Sequence, residues 1–342
     1  KILKKIYKAT LRAMPLKISA VAGRAYRTVR SGAHKRDQLK EVVFKSGDLL
    51  LVLSGDWSDN IFADWTKVKK KTEGIKIVQI VYDMLPYVYP AYFVDGMSDQ
   101  FCRYMEKIFR ISDGILAISK STKRDIEKFM NDYRISEVPI KVFRLGDDFA
   151  KLDEVRPRNR QIDNKFILCV GTIEARKNHI LLYYAVREAL SKKVSVPQIV
   201  VVGKVGWLAK EFYYLVTKDP QISKKFVFLN NCTDQELAWL FRNSHFTVYP
   251  SYYEGWGLPI AESLYYGKLC LASESSSMPE IAGDLIEYFS PNDPIQLLQK
   301  IENYSSNEKL LKDKEDVIKK TYKTTAWDDT FAAVSQFIES IM

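Results

Sequence analysis

The apolar residues of this chain fall into short continuous runs. Asp48-Leu-Leu-Leu-Val-Leu53, Ile75 to Val81, Gly114 to Ile118 and Val138 to Phe143 each place several aliphatic residues side by side. Such runs fit strands of a parallel sheet that is covered on both faces. Between them, 97–111 and the stretch from Ser119 to about Met130 read as helices. A polar segment, 151–164, carrying Arg156-Pro157-Arg158-Asn159-Arg160, interrupts the alternation and reads as a linker. A second series follows, with strands at Phe166–Val170, Gln198–Val202, Phe226–Leu229, Phe246–Tyr249 and Lys268–Ala272. Helices are expected from about Asn178, over about 208–217, over Gln235–Arg242 with Asp234 as cap, and from Pro259. From about 295 the chain reads as helical, and Trp327 opens a last amphipathic helix with Phe331, Val334, Phe337 and Ile338 on one face. Strands alternating with helices predict α/β architecture with doubly wound sheets.

Length and charge add to this picture. At 342 residues there is room for two domains, and the pattern puts them at 1–155 and 165–325. No run approaches the roughly 18–20 apolar residues needed to span a bilayer, and no secretory signal pattern is visible. The four cysteines, Cys102, Cys169, Cys232 and Cys270, form no close pair and read as free thiols of a reducing compartment. Three histidines leave little material for a histidine zinc site or a serine–histidine triad. The net charge is +10, but residues 1–40 hold twelve Lys and Arg against one acid, Asp37. The basicity is therefore a terminal feature. Ile2, Leu3, Ile6, Tyr7, Leu11 and Met14 recur at helical spacing among Lys1, Lys4, Lys5, Lys8 and Arg12. This fits an anionic membrane surface, and equally an ordinary solvated helix packed on its domain. No nucleic-acid motif accompanies the charge.

Candidate chemistry sits at the predicted carboxyl ends of strands, where ligands bind in such sheets. In the first half these positions hold Asp56, Asp83 and Ser119. In the second half, Gly171-Thr172-Ile-Glu-Ala-Arg176-Lys177-Asn178 places a guanidinium fork and an ammonium at a helix entrance, which suits a diphosphate. Gly203-Lys204-Val205-Gly206-Trp207 adds a cation after the next strand. It lacks the glycine and Lys-Ser/Thr spacing of a P-loop. Ser251-Tyr-Tyr-Glu254-Gly255-Trp256-Gly257-Leu258-Pro259-Ile260-Ala261-Glu262 turns from strand into helix. Gly257 permits close backbone approach, the N–H of Leu258 faces an anion, and Glu254 and Glu262 can face one cleft. Two glutamates eight apart are common by composition and mean little alone. Beside three cations they complete a set that matches a sugar nucleotide, because a carboxylate accepts two hydrogen bonds from a vicinal diol.

These motifs resemble the retaining glycosyltransferases of GT-B fold in the large family that includes bacterial mannosyltransferases and the sucrose and glycogen synthases. The resemblance runs from about Lys76 to Trp327 and is densest at Gly171–Asn178, Gly203–Trp207, Pro250–Glu262 and Ser276–Gly283. Glu254 and Glu262 match the family's Glu-x7-Glu motif. The resemblance implies two Rossmann-like domains facing across a cleft, with the helix 326–342 crossing back to the first. It implies that Glu254 contacts the donor sugar hydroxyls, Glu262 the ribose, and Arg176 and Lys177 the diphosphate. Lys204, Gly171, Thr172, Gly257 and Leu258 join the donor site, and Asn231 lines the base pocket. The family's first-domain His-Asp pair falls at Tyr82-Asp83, so Asp83 matches and the histidine does not. Tyr82, Asp56 and Ser119 remain acceptor-side candidates. Thr172 stands where many members carry arginine, a place Arg176 can take over.

The chain has no Asp-x-Asp, and no metal or other cofactor is expected. The implied enzyme moves a hexose, mannose favoured, from a nucleotide-diphosphate sugar such as GDP-mannose to a glycan acceptor. That acceptor is expected to be lipid-linked, in bacterial surface polysaccharide (O-antigen, lipopolysaccharide) synthesis. The expected location is cytoplasmic, peripheral at the inner face of the plasma membrane through residues 1–30. A rhamnosyl donor is the near alternative. A non-catalytic nucleotide- or glycan-binding module is the alternative of another class.

Overall fold

The computed structural model describes residues 43–53, 57, 61–149, 152–158 and 162–342. The basic amphipathic segment and Asp56 lie outside the described residues. The chain forms two compact units, Lys1–Gly146 with Thr325–Met342, and Asp147–Thr324.

In the first unit, strands β1 (Leu49–Val52), β2 (Lys76–Val81), β3 (Gly114–Ala117) and β4 (Ile140–Val142) form a parallel sheet in the order β1-β2-β3-β4. Helices α1 (Ile61–Glu73), α2 (Met97–Phe109) and α3 (Lys120–Asp132) alternate with the strands. The buried faces of α2 and α3 supply Phe101, Tyr104, Ile108, Phe109, Ile126 and Phe129 to one core. Each such side chain stabilises the unit by about 1.5–3 kcal/mol when fully buried. The sequence pattern does not signal α1, because Ile61-Phe-Ala-Asp-Trp-Thr-Lys-Val-Lys-Lys-Lys-Thr-Glu73 is largely polar and buries only Ala63 and Thr66.

The second unit carries six parallel strands: β5 (Phe166–Val170), β6 (Gln198–Val202), β7 (Phe226–Leu229), β8 (Phe246–Tyr249), β9 (Cys270–Ser273) and β10 (Glu287–Phe289). Their order is β10-β9-β8-β5-β6-β7. The direction of winding therefore reverses between β5 and β8, which are neighbours. Helices α4 (Ile180–Ser191), α5 (Lys210–Lys218), α6 (Asp234–Asn243), α7 (Leu258–Tyr265), α8 (Pro294–Ser306) and α9 (Glu308–Thr321) accompany the strands.

Two local readings are corrected. The cap of α6 is Thr233, not Asp234: its hydroxyl accepts from Glu236 N at 3.1 Å, and Glu236 Oε2 accepts from Thr233 N at 2.8 Å. Helix α7 begins at Leu258, with Pro259 in its first turn.

The polar segment read as a linker packs with the second unit. Glu154 pairs with Arg242 at 2.8 Å, and Arg156 lies over the Trp239 ring. The last helix, α10 (Trp327–Ile341), belongs to the first unit. A Cβ on Gly114 would lie 2.1 Å from Ile341 Cδ1, and one on Gly146 would lie 2.5 Å from the Trp327 ring. Both glycines let α10 approach the backbone of that unit. Among the described residues, no helix is long and apolar enough to cross a membrane.

Candidate functional site

Because every strand of the second sheet is parallel, the loops after β8, β5, β6 and β7 leave from one edge in that spatial order. They carry Glu254, the pair Arg176 and Lys177, Lys204, and Asn231, respectively. Ligands gather at such an edge where the strand order reverses. Here the reversal lies between the loops bearing Glu254 and Arg176.

Glu254 is the centre of this edge. It is 5 % exposed, so its charge requires partners. Arg176 Nη1 lies 2.8 Å from Oε2, and Lys177 Nζ lies 2.5 Å from Oε1. Burial alone would push the Glu254 carboxyl up; Lys177 and Arg176 outweigh it and hold the group below the ordinary carboxylate range. Lys177 Nζ also donates to Tyr249 Oη at 2.7 Å and sits over that ring.

The backbone around Glu254 is held by three consecutive serines. Ser276 Oγ accepts from Glu254 N at 2.9 Å, Ser277 Oγ donates to Glu254 O at 2.9 Å, and Ser275 Oγ donates to Tyr252 O at 2.5 Å. Ser276 has φ +49°, in the left-handed region that non-glycine residues seldom occupy.

The loop after β5 is tied to the loop after β8. Tyr252 N donates to Arg176 O at 2.9 Å. Asn178, at φ +55°, donates to Pro250 O at 3.0 Å and Pro291 O at 2.8 Å. Asparagine adopts this conformation more readily than most residues. On its other side, the loop after β5 pairs with the loop after β6. Ile173 N donates to Lys204 O, and Gly206 N donates to Ile173 O, each at 2.8 Å. Gly203 makes that approach possible, since a Cβ there would fall 1.9 Å from Gly171 O.

The other predicted positions divide by surroundings. Glu262 is half-buried on α7, and its carboxyl is pushed up to about 7 by burial and by the charge of Asp234. Lys204, Thr172 and Asn231 are exposed. Gly257 has φ −125°, and its missing Cβ points at Ile281 and Ile260, which makes it a packing glycine on that side.

In the first unit, Ser119 is fully buried. Its hydroxyl caps α3 by accepting from Thr122 N, and its hydrogen goes to Thr122 Oγ1, each at 2.9 Å. Ser119 therefore serves as the cap of α3. Asp83 Oδ1 accepts from Leu85 N, the first residue of the helical turn Leu85–Val88, at 3.0 Å. The Tyr82 hydroxyl is enclosed with no hydrogen-bond partner among the described residues, and burial pushes it up to about 12. Such a phenol is no base near neutrality.

Pattern reasoning did not single out Glu174, the serine run as a clamp, or His179. Glu174 Oε1 lies 2.7 Å from Arg176 Nε. His179 is buried against Phe212, both its ring nitrogens lack partners among the described residues, and burial with the nearby Lys177 lowers it to about 3. A carboxylate two residues before a basic pair was the available signal for Glu174. All four cysteines are free thiols, and no group of three or more metal-ligating side chains occurs among the described residues.

A basic pair closed on a buried glutamate at the reversal of a parallel sheet, in a chain of two α/β units, defines a GT-B type of protein. Similarity to known proteins agrees. The chain belongs to the family described as glycosyl transferases group 1, whose profile matches residues 152–324. It is 26 % identical over 282 residues to the serotype-specific mannosyltransferase WbdA of Escherichia coli, covering 77 % of this chain and 34 % of that protein. It is 29 % identical over 204 residues to the O-antigen chain mannosyltransferase B of Escherichia coli, covering 56 % of this chain and 52 % of that protein. The chain thus spans about a third to a half of the length of these relatives. The structure of Anabaena Alr3699/HepE in complex with UDP superposes with a TM-score of 0.61 at 15 % identity, over 86 % of this chain and 78 % of that one.

Proposed function

We propose that this chain is a retaining hexosyltransferase that takes mannose from GDP-mannose and passes it to a lipid-linked glycan in bacterial surface polysaccharide synthesis. The observation that carries the reading is Glu254, buried and ion-paired to Arg176 and Lys177 at the reversal of the second sheet. Mannose is supported by the names of both matched relatives. In this reading Arg176 and Lys177 turn to the diphosphate and stabilise the charge that develops on the leaving nucleotide. Glu254 accepts hydrogen bonds from the sugar hydroxyls. Glu262, whose carboxylate has no hydrogen bond or ion pair among the described residues, accepts the ribose diol. Lys204, the N–H of Leu258, Gly171 and Thr172 lie along the phosphates, and Asn231 lies at the base. Departure of the nucleotide and attack by the acceptor occur on one face of the sugar, which retains the anomeric configuration. The two cations supply the counter-charge that a divalent ion supplies elsewhere, so transfer is independent of metal. The basic residues 1–30 hold the enzyme at an anionic cytoplasmic surface.

The test is incubation with GDP-mannose, a rhamnosyl nucleotide and UDP-hexoses, each with lipid-linked acceptors and with or without EDTA. Mannosyl transfer unaffected by EDTA is expected. Transfer from another nucleotide sugar overturns the donor, loss of activity in EDTA overturns metal independence, and nucleotide binding without transfer to any acceptor supports a binding module instead.

A further inference from the structure

Glu174 stands outside every role given above. It is 3 % exposed and immediately precedes the helical turn Ala175–Lys177, where Lys177 N donates to Glu174 O at 3.0 Å. Its Cβ packs close under Gly206 of the loop after β6. Its Oε1 lies 2.7 Å from Arg176 Nε, while Arg176 Nη1 lies 2.8 Å from Glu254 Oε2. The guanidinium is therefore ion-paired on two sides, by a hydrogen bond to Glu254 and by the charge of the nearly buried Glu174, whose Oε1 accepts no hydrogen bond among the described residues. Burial pushes the Glu174 carboxyl up against the pull of Arg176 and Lys177.

The cluster also balances in charge. Glu174 and Glu254 offset Arg176 and Lys177 before any ligand arrives. An incoming diphosphate meets cations whose charge these carboxylates partly offset. Opposed charges at such short range in a water-poor pocket interact strongly, so the second carboxylate weakens the hold of the cations on any anion.

We propose that Glu174 is a positioning residue for the donor diphosphate: by its ion pair with Arg176 it holds that side chain in place and sets the charge balance that lets the nucleoside diphosphate leave after transfer. This rests on the reading of the edge as a diphosphate site.

Glu174→Gln keeps the length and shape of the side chain but removes the charge that pairs with Arg176. Calorimetric titration with GDP and UDP is expected to show binding about 3- to 10-fold tighter than wild type at low salt, with the gain shrinking as salt rises. In transfer assays, inhibition by the nucleotide product strengthens and kcat falls. Glu174→Asp keeps the charge but not the reach. Its diphosphate affinity stays within about threefold of wild type while kcat falls about tenfold or more, as for a misaimed group. A variant that merely loosens the fold would bind the nucleotide more weakly, which is the opposite sign. Equal or weaker binding by Glu174→Gln, or wild-type transfer by Glu174→Asp, overturns the inference alone. Failure of the wild type to bind either nucleotide overturns the site reading and the inference with it.

Discussion

The two sheets are built alike and used differently. Both are parallel, and both deliver loops to one edge. Among the described residues of the first unit the strand order follows the chain, and at its strand ends Ser119 caps a helix, Asp83 accepts from the N–H of Leu85 and the Tyr82 hydroxyl is enclosed. In the second unit the order reverses between β5 and β8, and there a carboxylate and two cations are buried together. Loops that diverge at a reversal leave a crevice that helices do not fill. The contrast teaches that strand-end position alone is a weak indicator of chemistry; strand-end position at a reversal is a stronger one.

The sharpest way to break this comparison is to remove a cation from the second edge. Arg176→Ala or Lys177→Ala is expected to lower sugar transfer by about 10²–10³-fold, measured as initial rate from GDP-mannose. Either change also leaves a buried carboxylate short of a partner, at a cost of about 3 kcal/mol in denaturant unfolding. Wild-type rates in both variants would return the second edge to the status of the first.

Gly203→Ala tests the lacing of the two loops. Its Cβ would meet backbone, Gly171 O, at 1.9 Å, so a loss of about 3 kcal/mol or more in unfolding free energy is expected. Gly47→Ala in the first unit meets nothing within 4 Å, although its φ of +87° carries its own strain of about 1 kcal/mol.

Acid tests the buried histidine. His179 is lowered to about 3 and His245 to about 4, both mainly by burial. The unfolded chain takes up these protons below about 6.5 and the folded chain does not. Each histidine therefore removes about 1.4 kcal/mol of stability per pH unit as pH falls below that value. Glu262, raised to about 7, works the other way: its contribution is full below the ordinary carboxylate range and is lost as pH rises through 7. The difference between wild type and His179→Phe isolates the first effect; parallel unfolding curves from pH 6.5 to 4.5 would refute it.

The smallest expected effect lies in the first unit. Ser119→Ala should cost about 1 kcal/mol as a lost helix cap, with transfer unchanged. A large loss of transfer at full stability would restore Ser119 to the chemistry.

Much of the second unit was legible. Strands β5 to β8 are mainly apolar runs, with Gln198 and Thr247 the polar members, and their ends coincide with the residues expected. Helix α1 was hidden because its burial is slight, and β10 because three residues, Glu287-Tyr-Phe289, make no pattern. The capping box at Thr233 was present as Thr-x-x-Glu and was displaced by the more familiar aspartate next to it. Arg176, Lys177 and Glu254 could be named from the sequence, but their mutual contact could not, because 78 residues separate Arg176 from Glu254. The serine clamp needed three dimensions for the same reason: Ser276 lies 22 residues from the N–H that it receives.

The close approach at Gly203 has a consequence for how this loop can vary between sequences. Gly203 has no room for a single carbon atom, whereas the neighbouring Lys204 side chain is exposed. Tolerance to substitution should therefore change abruptly from one residue to the next. A library randomised over 203–206 and selected only for folding would keep glycine at 203 and 206 and admit many residues at 204. Selected for transfer as well, the same library would narrow at 204. The gap between the two selections would measure how much of this loop is shaped by its neighbours and how much by its ligand.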